Sequence, residues 1–242
     1  YRPDQQGIVI VGDFDVDEME AKVKKLFGTV IMPANAAERT YPKVSDNEKP
    51  IYAYFTDKEL QYPMAMVMFK MEKIPFEMRN TMEGYMQTSI VENLVSTMIN
   101  NRLNDFSKKA ECNYVYAGVS FGDFLVSKTK AALDITIIAK DNVHKAYTDA
   151  LKIVAQACKT GFMESELVRA RDEMLANYEK AYNERNNTKT ENLAREIIRH
   201  FVDNEPSPGI EKEYEIVKQI LPAIPVQALN QMLPQLITKE NQ

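Results

Sequence analysis

The opening segment, residues 7–28 (GIVIVGDFDVDEMEAKVKKLFG), moves from an apolar run to an amphipathic stretch across one Gly-Asp turn. Residues 8–11 are β-branched and apolar, as a buried strand requires. Gly12-Asp13 ends that run, and Asp15 offers an oxygen to cap a following helix. Asp17 and Glu18 place acid in the first turn, where the helix dipole favours it, while Lys22, Lys24 and Lys25 place positive charge late. Met19, Val23, Leu26 and Phe27 form one apolar face. Gly28 fits the left-handed position that closes a helix. This predicts a strand–turn–helix unit and, taken alone, no chemistry.

Residues 32–50 break every period: three prolines are mixed with Asn, Asp and Ser, which predicts a linker and the best domain boundary. Strands are predicted at 51–56 and 63–71, a long helix from about 77 to 106, and a strand pair at 113–121 and 129–139 with a turn at Gly122-Asp123. In the long helix Met78, Met82, Tyr85, Met86, Ile90, Leu94 and Met98 recur at helical spacing, with Val91, Val95 and Ile99 beside them. In the second strand of the pair Leu133, Ile135 and Ile137 share a face.

Helices are then predicted at 143–158, 164–185, 188–201 (with Leu193, Ile197 and Ile198 inside), 210–221 and 226–237, followed by a polar tail at 239–242. Strands, a long helix, a strand pair and more helices predict an α+β fold, a mostly antiparallel sheet with helices packed on one face.

The 242 residues, 45% of them hydrophobic, suffice for one sizeable core or two small ones. A net charge of −5 gives no basic surplus for nucleic acid, and no apolar run approaches the roughly 20 residues of a membrane helix. Cys112 and Cys158 have neither metal nor redox spacing and read as reduced core residues, a single disulfide being the alternative.

No catalytic or metal-binding residue can be assigned. His144 and His200 are the two histidines, and neither HExxH nor the inverted HxxEH can be written. A zinc peptidase site needs imidazoles around the metal and a carboxylate to activate its water. There is no Gly-x-Ser-x-Gly elbow and no glycine-rich phosphate loop. Glu83, Glu92 and Asp134 are acids that could pair in space, though carboxylates on helices are usually solvated. The polar run 183–187 with Lys189 reads as a water-exposed helix break. The aromatics Tyr52, Tyr54, Phe55, Tyr114, Tyr116 and Phe121 fall on predicted strands and read as core rather than as a peptide-binding face.

The wording of the opening resembles a recurrent segment of the insulinase/pitrilysin family of zinc metallopeptidases, the inverzincins. Its Tyr-x-Pro-(Asn/Asp) lead-in, hydrophobic strand, Val-Gly-Asp-x-Asp turn and Phe-Gly helix end match Tyr1, Pro3, Asp4, Val11, Gly12, Asp13, Asp15, Phe27 and Gly28. Asn101-Arg102-Leu103 with Tyr114 and Tyr116, and Glu166-Leu167-x-Arg169-Ala170, resemble two later family stretches. Only the opening and the Glu-Leu-x-Arg-Ala piece are specific.

The resemblance implies a non-catalytic part of a zinc-dependent endopeptidase that shapes a substrate chamber and binds peptide. Residues 1–32 would end a zinc-bearing domain, 33–50 would be a linker, and 51–242 a non-catalytic domain. A start at Tyr within a structural unit suggests an excised piece. Zinc would belong to the parent protein and not to this chain. Partners would be the upstream domain and a peptide substrate; homo-oligomers are compatible, and the parent's compartment stays open between bacterial periplasm and cytoplasm. An inactive scaffold module of the same fold is the alternative, and a hydrolase built from scattered carboxylates a third reading.

The family's assisting Arg and Tyr, seven apart, would correspond to Lys109 and Tyr116; Lys lacks the two-pronged hold of Arg, so they receive no role. Because residues 7–28 resemble the unit that closes the second domain, they are expected to fill that place on the sheet, in this molecule or a neighbour.

Overall fold

Leu133, Ile135 and Ile137 lie fully buried at the centre of the fold, on the middle strand of a three-stranded antiparallel sheet ordered β1-β3-β2. The computed structural model describes residues 2–242. β1 is Met64–Glu72, β2 is Tyr114–Asp123 and β3 is Lys130–Ala139. Phe69 faces Leu133 and Val67 faces Ile135 across the first pair; Phe121 faces Leu133 and Val119 faces Ile135 across the second. A strand alternates its faces, so the odd positions of β3 carry the apolar side chains toward the helices.

Following an α1 helix at Val16–Phe27, the helices are α2 (Phe76–Arg79), α3 (Met82–Tyr85), α4 (Glu92–Ser107), α5 (Val143–Thr160), α6 (Glu164–Asn183), α7 (Thr190–Asp203), α8 (Ile210–Ile220) and α9 (Val226–Leu236). α4 packs on β2 and α5 on β3, while α6, α8 and α9 form an outer layer against α4, α6 and α5 respectively. α4 buries Leu94, Val95, Met98, Ile99 and Leu103; burying each such side chain contributes roughly 1.5–3 kcal/mol. α5 turns Ala146, Ala150, Val154 and Ala157 inward, small residues that bring its axis close to the sheet. Gly161, at φ 73°, stops α5 in a conformation that few other residues adopt. The fold is α+β with helices on one sheet face.

Several expectations are corrected. Residues 8–11 form no strand; Gly7 lies against the Phe201 ring of α7, so the opening segment is detached from the sheet and does not close it. The cap by Asp15 is present, its carboxylate accepting from Glu18 N at 2.9 Å. Gly28, however, is right-handed at φ −64°, and glycine is needed because a Cβ would strike the Lys24 carbonyl. Residues 51–56 are not a strand, and Tyr52 and Tyr54 are about 90% exposed, at 89% and 91%. β2 runs through Gly122 and Asp123, and the reversal falls after them, with Leu125 at φ 52°.

The long helix is interrupted. Asn80 leaves helical geometry, and Thr81 recaps the chain by accepting from Gly84 N at 3.1 Å. Gly84 sits on the Met78 and Arg79 carbonyls, where no Cβ fits. A π-helical stretch, Met86–Val91, then leads into α4. α7 leaves Leu193, Ile197 and Ile198 exposed rather than inside. Of the aromatic group, Tyr114 alone is fully buried, its hydroxyl donating to Leu103 O at 2.6 Å.

Candidate functional site: the open sheet face and its edges

The even positions of β3 face away from the helices. By register, Asp134, Thr136 and Ile138 share that face with Met64, Met66 and Met68 of β1 and Tyr116, Gly118 and Ser120 of β2. Met64, Met66 and Tyr116 are each a little over half exposed. The Tyr116 ring folds along its own strand over Gly118, where a Cβ would strike its hydroxyl. Asp134 stands among these groups with Oδ1 buried and without a hydrogen-bond partner, and burial pushes its carboxyl above the usual range.

The two outer edges of the sheet are finished differently. On β2, the Asn100 side chain clasps Val119 like a neighbouring strand: Nδ2 donates to Val119 O at 3.0 Å and Oδ1 accepts from Val119 N at 2.7 Å. On β1, Lys70 N donates outward to Asn241 O at 2.8 Å, while Pro63 O and Lys73 N bond inward to β3 and its approach. Antiparallel strands alternate their bonding direction. The amides and carbonyls of Met64, Met66 and Met68 therefore point away from β3, and they have no outward backbone partner among the described residues.

Residues 241–242, at the end of the polar tail, are clamped to the end of the linker. Asn47 N donates to Asn241 Oδ1 at 2.9 Å, Asn241 N to Asn47 O at 2.8 Å, and Ile51 N to Gln242 O at 3.0 Å. Ser45 O accepts from Lys70 Nζ at 2.7 Å, and Asp46 pairs with Lys130 at 2.8 Å, so the clamp also grips the sheet.

A cleft of about 330 Å³ opens at one end of the sheet, between the π-helical stretch and the ends of β1 and β2. Thr88, Ser89 and Glu92 form one wall and Met71, Phe121 and Gly122 another. Lys73 pairs with Asp123 at its rim. Asp203 accepts from Lys128 at 2.9 Å, and its backbone carbonyl from Arg79 at 3.2 Å. Burial alone would raise the Asp203 carboxyl, yet Lys128, Lys73 and Arg79 together hold it below its ordinary value. Glu92 goes the other way: burial raises it, against a hydrogen bond from Gln87 at 3.3 Å.

The residues singled out in the sequence are scattered. His144 is exposed in the first turn of α5, and His200 lies on α7 with Nδ1 2.7 Å from Glu205 O. Cys112 and Cys158 are free thiols, and burial pushes Cys158 up to about 11. No hydrogen bond joins any two of Glu83, Glu92 and Asp134 among the described residues. Lys109 lies over the Phe106 ring, and no hydrogen bond links it to Tyr116. Among the described residues no group of three or more His, Cys, Asp or Glu could hold a metal ion. The run at 183–187 is exposed save for Arg185, which lies over Tyr182 and pairs with Glu211 at 3.1 Å.

What the structure does bring together is the pair of later motifs. Arg102 of α4 grips Glu166 of α6, and its Nη2 also donates to Gly161 O at 2.8 Å. Glu166 Oε2 accepts from Met163 N at 2.8 Å, closing the start of α6. Neither motif announces the other in sequence. Asn100 likewise reads as one more polar residue on a helix, and the outward β1 edge has no sequence signature.

An α+β domain with one open sheet face and one unpaired strand edge is the class defined by this geometry. The chain belongs to the family described as the peptidase M16 inactive domain, whose model matches residues 1–174. It is 24% identical over 225 residues to a "zinc protease PQQL-like" protein of Arabidopsis thaliana, across 93% of this chain and 20% of that protein. It superposes on the periplasmic protease PqqL of Escherichia coli with a TM-score of 0.80 at 18% identity, covering 93% of this chain and 24% of that one. A predicted insulinase family protease from Yersinia pestis matches with a TM-score of 0.74 at 14% identity, over 93% of this chain and 47% of that one. The solved structures share the fold, and the chain spans about a fifth of the length of the curated relative, 20%.

Proposed function

We propose that this chain is a non-catalytic section of a larger zinc-dependent endopeptidase, forming part of the wall of its substrate chamber and holding an extended peptide along the free edge of β1. The observation that carries the reading is the row of outward amides and carbonyls at Met64, Met66 and Met68, set beside half-exposed methionine side chains. An added strand would complete those hydrogen bonds, and flexible thioethers adapt to varied side chains. In this reading residues 1–32 end the preceding zinc-bearing domain, 33–50 link, and 51–242 form the inactive domain. The exposed Leu26, Phe27, Ile31 and Met32 support an association of that opening with upstream sequence. Zinc belongs to the upstream domain, and the periplasmic site of the Escherichia coli relative supports the same compartment for the parent.

Amide hydrogen exchange during titration with an extended peptide tests this. Protection should appear at Met66 and Met68. Met66→Pro should remove it with little effect on the fold, because the lost donor faces outward on an edge strand. Unchanged exchange at saturating peptide would overturn the reading.

A further inference from the structure

The carboxylates lining the cleft beside the π-helical stretch are held in ion pairs, with one exception. Lys73 is matched by Asp123, Glu72 by Lys130 and Glu205 by Arg199, while Asp203 is shared by Lys128 and Arg79. Glu92 has no ion-pair partner among the described residues, only the neutral Gln87 amide. A carboxylate turned toward a lined cleft without a counter-charge repels anions and favours a cation.

The surroundings narrow the class of cation. Met71, Ile74 and Phe121 make part of the lining apolar, suited to a methylene stem with a charged end. Ser89 adds a hydroxyl that can accept from an N–H. The π-helical stretch displaces the backbone here, and such stretches recur at functional sites. The volume, about 330 Å³, lies in the range of small-ligand sites.

We infer that this cleft receives the guanidinium or ammonium end of an arginine or lysine side chain, with Glu92 as its counter-charge and Phe121, Met71 and Ile74 along its stem. That a peptide carries this side chain rests on the function proposed above; the cation site itself does not. Burial raises the Glu92 carboxyl, and a cation held beside it would lower it again.

The test uses Nα-acetyl-arginine methylamide and its neutral isostere Nα-acetyl-citrulline methylamide, with the amide resonances of Ser89 and Gly122 as readout. The arginine compound should shift both saturably, and the citrulline compound should bind about tenfold more weakly or worse. Glu92→Gln should weaken the arginine compound by a similar factor, and Glu191→Gln, on exposed α7, should leave it unchanged. Equal binding of the two compounds by the unaltered chain, or no shift at either amide, would overturn the inference even if Glu92→Gln failed to fold. The probes are too short to add a strand. Binding here without protection at Met66 and Met68 by peptide would therefore remove the edge reading alone, and the converse would remove the cation site alone.

Discussion

The Arg102 guanidinium holds the Glu166 carboxylate in a two-pronged pair, Nε to Oε1 at 2.6 Å and Nη2 to Oε2 at 2.7 Å, across 64 positions of sequence. The pair joins α4 to the start of α6 and lies largely out of water, with Glu166 only 9% exposed. Removing one partner of such a pair strands the other charge. Glu166→Ala is expected to destabilise the chain by about 3 kcal/mol in urea unfolding. Arg102→Lys, which keeps the charge but loses the fork, should cost about 1 kcal/mol. The Arg102 hydrogen bond holds the Glu166 carboxyl below its ordinary value despite burial. Its contribution is thus present above the unfolded carboxyl's pKa and is lost as pH falls through the lower folded one. The gap between Glu166→Gln and the unaltered chain should shrink in acid.

Asn100 supplies both hydrogen bonds to the outer side of Val119, a buried residue. Asn100→Ala leaves a buried donor and acceptor unmade, and about 1–3 kcal/mol of stability should be lost. Faster exchange of the Val119 amide would identify the cause. Asn100→Asp keeps the acceptor for that amide but sets an anion against the Val119 carbonyl, so the amide should stay protected although stability falls.

Gly84 and Gly122 separate two kinds of glycine. A Cβ on Gly84 would come within 2.6 Å of the Arg79 carbonyl and 2.9 Å of its Cα, backbone that cannot turn aside. Gly84→Ala should cost about 1–3 kcal/mol by thermal unfolding. Gly122 has nothing within 4 Å of such a Cβ, and Gly122→Ala should change stability by less than about 0.5 kcal/mol.

Asp134 carries a pH dependence of the opposite sign to that of Glu166. Burial raises its folded pKa, so the native state is strained by ionisation and loses stability as pH rises through that value. Asp134→Asn should be more stable than the unaltered chain at pH 7, by about 1 kcal/mol. The advantage should fade as pH falls to the unfolded carboxyl's value near 4, which paired melts at the two pH values would measure.

Much of this was written in local pattern. Alternation in 130–139 placed Leu133, Ile135 and Ile137 on one face, the Ala and Val stripe of α5 ended at Gly161, and Asp15 capped α1, because each depends on neighbours a few positions away. The sequence by itself determined the α+β order, the β2–β3 pairing and the family resemblance.

Tertiary structure decided the rest. Residues 8–11 and 51–56 have strand-like composition but no strand beside them, and a strand is held only by bonds to another chain segment. Likewise the break at Asn80 follows from the fit of Gly84 onto α2, not from helix propensity. Arg102 and Glu166, Asn100 and Val119, and Asn47 and Asn241 meet only once the layers have packed. Whether a polar side chain is solvated or committed depends on which remote backbone or charge the fold brings within 3 Å, information that no local spacing contains.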